Sequence, residues 1–262
     1  MNLLVLLAGI ADPKWPVSGI AVGDDGTDVV TGIPTVLSPF DEAALELALK
    51  LRDARPETHI TAALMGSPAT ATLMRHVAGF RPDDTIHVDA IAWPRWDLRQ
   101  VALCLSSLVD GAQVAPQLIL MGREFGDADD GTVAACLAAE LHRPYVARIQ
   151  EIVAGTEAPR LLRESAEGEE QFEVTVPMLA SVTNDRRNRL RHPLMKNVMA
   201  AKRATLPLRV LPPVQPITRV RLTEAAKAES GRRATQCRKL HGDTSDVVDA
   251  LGDFLSAWKS AR

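Results

Sequence analysis

Aromatic side chains are scarce: one Tyr, five Phe and four Trp make up 4% of the 262 residues. A surface that stacks single-stranded bases interleaves rings with basic residues, so this scarcity argues against a nucleic-acid platform. The three cysteines, Cys104, Cys136 and Cys237, are far apart and form no C-x-x-C pair. That argues against a disulfide framework and a zinc site, and fits a reducing cytosol. None of the six histidines has another at i, i+3 or i+4, so metal-ligand spacing is missing. There is no G-x-S-x-G elbow, no P-loop lysine motif and no G-x-G-x-x-G after the first apolar run, which leaves hydrolase and dehydrogenase readings without their usual support. No catalytic acid or base stands out, and an enzyme is not expected. The net charge of -3 points to neither nucleic acid nor a polyanionic substrate. The opening MNLLVLLAGIADP has no basic leader region, and Asp12 interrupts it, so a buried strand and a cytoplasmic chain without membrane insertion are expected.

With 46% hydrophobic residues, the chain is long enough to bury one main core with extensions. Residues 2–7 are continuously apolar and end before Gly9, as in a parallel strand covered on both faces. Ser38, Pro39, Asp41 and Glu42 form a helix start. Behind it Phe40, Ala43, Ala44, Leu47, Ala48 and Leu51 make an apolar stripe, predicting a helix to about Ala54. The alternation continues through HITAALMG, PATATLMRHVAG, DTIHVDA, DLRQVALCLSSLVDG and QLILMG. It predicts a doubly wound, mostly parallel α/β sheet flanked by helices.

After Pro144 the texture changes to short β-rich runs, YVARIQEIVAG, APRLLRESAEG, EEQFEVTVP and MLASVTN, which predict an antiparallel addition. Residues 186–203 hold seven Lys/Arg and no acid. A solvated face is the ordinary reading of such a run. LPPVQP then breaks regular structure, and a last helix places Val247, Val248, Leu251, Phe254, Leu255 and Trp258 on one face. The division expected is an α/β domain over residues 1–210 and, over 211–262, an extended arm ending in a helix.

The stretch 122–136, GREFGDADDGTVAAC, lies between an apolar strand and a helix. The carboxyl edge of an open α/β sheet is where ligands bind, and a helix beginning near Asp130 would offer N–H groups to a phosphate. Equally, Asp127, Asp129 and Asp130 could simply cap that helix and solvate its turn.

Five segments in order resemble the electron transfer flavoprotein β-subunit family, and together they cover nearly the whole chain. They are ADP (11–13), SPFDEAALELALKL (38–51), GREFGDADDGTV (122–133), RESAEGEEQFEVTVPMLASVTN (163–184) and NRLRHPLMKNVMAAKR (188–203). The last is similar, without a gap, to the family's N-x-x-R-x-x-x-x-x-N-[IV]-M-x-A-K segment. Ser38 stands where the family has Asn, and Ala166 stands where it has an acid. The resemblance implies a heterodimer in which this chain and an α subunit share FAD, with AMP or a second FAD bound by the β-type chain itself. For that nucleotide it implies Gly66, Gly122, Asp127, Asp129 and Val133. It implies partner docking through Asn188, Arg191, Met195, Asn197, Met199 and Lys202, with a dehydrogenase as electron donor and a quinone oxidoreductase or similar acceptor. The competing expectations are a nucleotide sensor of universal-stress type and a nucleotide-free scaffold.

Overall fold

The computed structural model describes residues 1–16, 21–23, 29–30, 32–93, 95–155, 159–173, 175–211, 223 and 239–260. Cys237, most of the Gly- and Asp-rich stretch and most of the arm that begins at LPPVQP lie outside the described residues. The chain divides into two compact units, Met1–Thr223 and Glu224–Arg262.

In the first unit, β1 (Asn2–Leu7), β2 (His59–Gly66), β3 (Asp84–Asp89) and β4 (Leu118–Gly122) alternate with helices α1 (Pro39–Ala54), α2 (Ala71–Ala78) and α3 (Leu98–Asp110). Then come α4 (Thr132–Glu140), β5 (Tyr145–Ile149), β6 (Glu151–Val153), β7 (Arg160–Ser165), β8 (Gly168–Glu173), β9 (Met178–Val182), α5 (Met195–Arg203) and β10 (Leu208–Val210). The seven-stranded sheet has the order β10-β3-β2-β1-β4-β9-β5, every neighbouring pair parallel. Alternate residues of β1 serve the two faces. Leu3, Val5 and Leu7 join the core beneath α1 and α2, while Leu4 and Leu6 join the core beneath α3 and α4. Such double coverage is why β1 reads as an unbroken apolar run.

The Ser38 helix start forms as expected. The Asp41 N–H donates to Ser38 Oγ at 3.0 Å, and the Ser38 N–H donates to Asp41 Oδ2 at 3.1 Å, a reciprocal capping box. Two of the short runs after Pro144 differ from expectation. β5 and β9 are parallel members of the main sheet, and only β6, β7 and β8 form a separate antiparallel sheet. The reason is burial: all five residues of β9 are buried, so MLASV fills an interior position between β4 and β5. β10 extends the opposite edge as a further parallel strand.

In the second unit, α6 (Thr244–Ser260) is a 17-residue helix with no buried residue. Val248, Leu251, Phe254, Leu255 and Trp258 are all exposed on it.

Candidate functional site

Strand order reverses between β1 and β4: β2 and β3 follow β1 on one side, and β4 lies on the other. Loops leaving adjacent strands in opposite directions open a crevice there. A cleft of about 640 Å³ fills that position, walled by chain leaving the carboxyl ends of β1, β2, β3 and β4. Its size is that of a small-molecule site. Among its described lining residues Arg95 is the one basic side chain and Asp127 the one acidic side chain.

Three aspartates set the backbone around this crevice. Asp41, at the start of α1, is fully buried and accepts the N–H groups of Ala8 at 3.3 Å and Gly9 at 3.0 Å, fixing the turn after β1. Burial pushes its carboxyl pKa upward, against the lowering effect of those donors. Gly9 sits at φ +72°, where an added Cβ would come within 2.8 Å of Thr35 Cγ2, so the turn demands glycine. Asp127 is exposed, and its Oδ2 accepts the Ala11 N–H at 2.9 Å, tying the loop after β4 to the chain after β1.

Asp129 is only 6% exposed. Its Oδ1 accepts N–H groups from Gly131 at 3.0 Å, Thr132 at 2.7 Å and Val133 at 3.2 Å, and its Oδ2 accepts from Phe125 at 2.9 Å. One carboxylate thus occupies the amides that open α4 and also clasps the loop before it. The helix starts at Thr132, two residues after the expected Asp130, because Gly131 takes a left-handed φ of +106° ahead of it.

The β2 side of the cleft rests on a buried hydrogen-bond chain. The Thr70 hydroxyl accepts the Ser67 N–H at 3.1 Å, donates to the Ser67 carbonyl at 2.9 Å and lies 2.9 Å from His87 Nε2. With the hydroxyl proton given to Ser67, Nε2 must donate to Thr70, which sets the His87 tautomer. His87 is 3% exposed, and burial lowers its pKa. An added Cβ on Gly66 would sit 2.0 Å from Thr70 Oγ1, so this glycine makes room for the threonine as well as lining the cleft.

Of the nucleotide residues named from sequence, Gly66, Asp127 and Val133 converge on the cleft lining. Asp129 lies behind them, occupied by the four amides. Gly122 is buried outside the lining, where its missing side chain admits Phe40, whose Cβ would be 2.8 Å from an added one. The docking residues also divide. Asn188 is buried, donates from Nδ2 to the Gln150 carbonyl at 2.6 Å and accepts from Lys50 Nζ at 3.2 Å. Arg191 grips Glu46 through Nε at 3.1 Å and Nη2 at 2.9 Å, and reaches Asp53 at 2.6 Å. Asn197 is half-buried on α5, and Lys202 is exposed. Met195, 74% exposed, forms an apolar patch with Leu194 and Met199.

Sequence reasoning missed Trp93, Arg95 and Trp96, which wall the cleft beyond β3. The available signal was two tryptophans three positions apart in a chain with four. Among the described residues, no group of three or more His, Cys, Asp or Glu is arranged to hold a metal ion, and no helix is long and apolar enough to cross a membrane.

Residues 27–212 match the family described as the electron transfer flavoprotein domain. Caffeyl-CoA reductase-Etf complex subunit CarD of Acetobacterium woodii is 26% identical over 61% of this chain and 61% of its own length. Electron transfer flavoprotein subunit beta of Megasphaera elsdenii is 27% identical over 69% of this chain and 68% of its own. The mitochondrial subunit beta of Oryza sativa subsp. indica is 28% identical over 77% of this chain and 79% of its own.

Proposed function

The chain belongs to the electron transfer flavoprotein domain family, and from this premise we propose that it is the β-type subunit of a heterodimeric flavoprotein that carries electrons from a dehydrogenase to a quinone oxidoreductase or similar acceptor. One observation supports this reading most: the cleft lies at the reversal point of the sheet, inside the matched stretch, with Gly66, Asp127 and Val133 on its lining.

In this reading the cleft holds an adenine nucleotide, AMP or the corresponding part of a second FAD. The lining fits such a group in volume and in its mix of flat apolar walls with one cation and one carboxylate. Asp41 and Asp129 keep the strand-end turn and the loop before α4 in place, and Asp127 closes the rim onto Ala11. A further FAD, shared with an α-type subunit at the interface, supplies the redox chemistry when bound, so this chain contributes geometry and electrostatics rather than an acid or base.

Donor docking falls to the exposed Leu194, Met195 and Met199 patch on α5, held in position by Arg191. Unbranched methionines adapt to varied apolar partners. The arm from residue 211 and α6 engages the α-type subunit, and a cytoplasmic setting suits the soluble partners. A sensor of universal-stress type needs neither the α5 patch nor an exposed apolar helix.

Extracting the purified heterodimer and separating the released cofactors tests this reading. Expected are FAD together with AMP, or FAD at twice the heterodimer concentration. FAD at one equivalent with no adenine nucleotide would remove the cleft from the scheme and favour a scaffold.

A further inference from the structure

Arg75, on α2, carries a charge that the fold itself does not use. The residue is half-buried, and its Nε is enclosed without a hydrogen-bond partner. Among the described residues no carboxylate pairs with its guanidinium either. An enclosed donor left unpaired costs free energy, so its surroundings are informative. Leu73, Met74 and Val77 turn one face of α2 into the core beneath it. Gly79, which ends the helix, lies on the opposite side and is nevertheless buried. The covering group is Pro193: a Cβ added to Gly79 would sit 3.6 Å from Pro193 Cβ. Arg75 precedes Gly79 by four positions and so shares its face, about 6 Å away along the helix. From Pro193 the chain passes directly into Leu194, Met195 and α5, which packs on α2. Arg75 is thereby placed at the foot of the exposed patch of Leu194, Met195 and Met199.

The charge around this patch has one sign. α2 (ATLMRHVA) and α5 (MKNVMAAKR) hold Arg75, Lys196, Lys202 and Arg203 and no acid. Arg191, in the segment leading to α5, is already taken by Glu46 and Asp53. Lys196, Lys202 and Arg203 are exposed, where water satisfies them. Arg75 differs because α5 restricts it, so its planar fork is set in place before any partner arrives. A carboxylate brought in with an apolar contact would complete it, and exclusion of water would strengthen the bond. An apolar centre beside a preset guanidinium fits a protein surface that presents a carboxylate at the edge of an apolar pocket.

We propose, resting on the reading of α5 as the donor-docking surface, that Arg75 is a specificity-determining residue of that surface. The Leu194, Met195 and Met199 patch seats in the donor, and Arg75 takes a carboxylate of the donor in a pair that exists only in the complex.

The test uses the heterodimer with its α-type partner and the donor dehydrogenase that reduces it, comparing Arg75→Gln and Arg75→Lys with the parent. Arg75→Gln is expected to raise the KM for the heterodimer roughly tenfold at low ionic strength, the scale of one charge-assisted hydrogen bond, with kcat, flavin spectrum and urea midpoint unchanged. Added salt should narrow that gap, because the parent alone has this pair to screen. Arg75→Lys should restore most of the affinity, and a zero-length carbodiimide should couple position 75 to an Asp or Glu of the donor, located by peptide mapping. An unchanged KM and salt profile in Arg75→Gln, with Met195→Ala still slowing reduction, overturns the proposal and leaves the docking reading standing. A lowered urea midpoint with an unchanged KM assigns Arg75 to packing between α2 and α5 and overturns it as well. Loss of binding to phosphatidylserine vesicles in Arg75→Gln, with the KM unmoved, assigns the cation to a lipid headgroup and also overturns it. Reduction indifferent to both Met195→Ala and Arg75→Gln overturns the proposal and the docking reading together.

Discussion

Asp129 accepts four backbone N–H groups while almost fully buried, so Asp129→Ala leaves four donors with no acceptor and no ready access to water. A loss of about 2–3 kcal/mol of stability is expected, the range for hydrogen bonds to a charged partner combined with loss of a helix cap. Urea unfolding measures it, and a midpoint equal to the parent's would show that the loop does not depend on this carboxylate. His87 makes a prediction in pH. Burial lowers its pKa from 6.5, so between 6.5 and the lowered value the unfolded chain binds more protons than the folded one. Stability is therefore full above about pH 6.5 and declines as the pH falls below it. His76, also lowered by burial, adds to the same slope. Relative to the parent, His87→Gln should have a flatter stability profile between pH 5 and 6.5 at about 0.5 unit intervals; two parallel profiles would contradict the assignment. At this scale the sequence was legible where partners are local. Ser38 and Asp41 are three positions apart, and the helix start they mark could be read directly, the capping box between them emerging in the structure. That Asp129 caps and Asp127 lines the rim could not, because the choice depends on Gly131 adopting a positive φ and on Ala11 lying 116 positions away across the sheet.

Between elements, the Arg191 guanidinium links the segment before α5 to α1 through Glu46 and Asp53. Glu46 is nearly inaccessible, so Arg191→Ala strands its carboxylate. A loss of about 2–3 kcal/mol is expected, discounted from a fully buried pair because Arg191 itself is part exposed, together with faster amide exchange over residues 186–203. Met195→Ala should do the opposite: stability within about 0.5 kcal/mol of the parent, yet slower reduction by the partner dehydrogenase in stopped flow with an unchanged flavin spectrum. Unchanged transfer rates across dehydrogenase concentrations would take α5 out of the docking surface. One motif resemblance spans both residues, and what separates the one that anchors from the one that projects is the pairing of Arg191 with Glu46 and Asp53 on α1, a long-range contact. The same gap between local pattern and tertiary placement explains the strands. HITAALMG and QLILMG are apolar runs with one plausible position, whereas MLASV is as short and apolar as an antiparallel filler. Its parallel place between β4 and β5 is fixed by burial on both faces, a long-range property that a five-residue window does not carry.

At the scale of the whole chain, the first unit closes its own core on both faces of the sheet, while α6 of the second unit buries none of its residues. If, as proposed, an α-type subunit covers the 17-residue helix whose Val248, Leu251, Phe254, Leu255 and Trp258 are exposed, association stabilises both chains by mass action. The periodicity of that helix was visible in the sequence; what covers it was not, because a helical pattern does not carry the identity of the surface it packs against. The cleft also bears on the cofactor balance. It has the volume of a nucleotide site, while the sequence shows no complete dinucleotide fingerprint. The central claim, that flavin is held only when an α-type partner contributes its surface, is tested most directly by purifying the chain alone and co-expressed with that partner, then recording visible absorbance and hydrodynamic mass for each. The account predicts a folded, colourless chain alone and a yellow heterodimer; a monomer carrying stoichiometric FAD would contradict it.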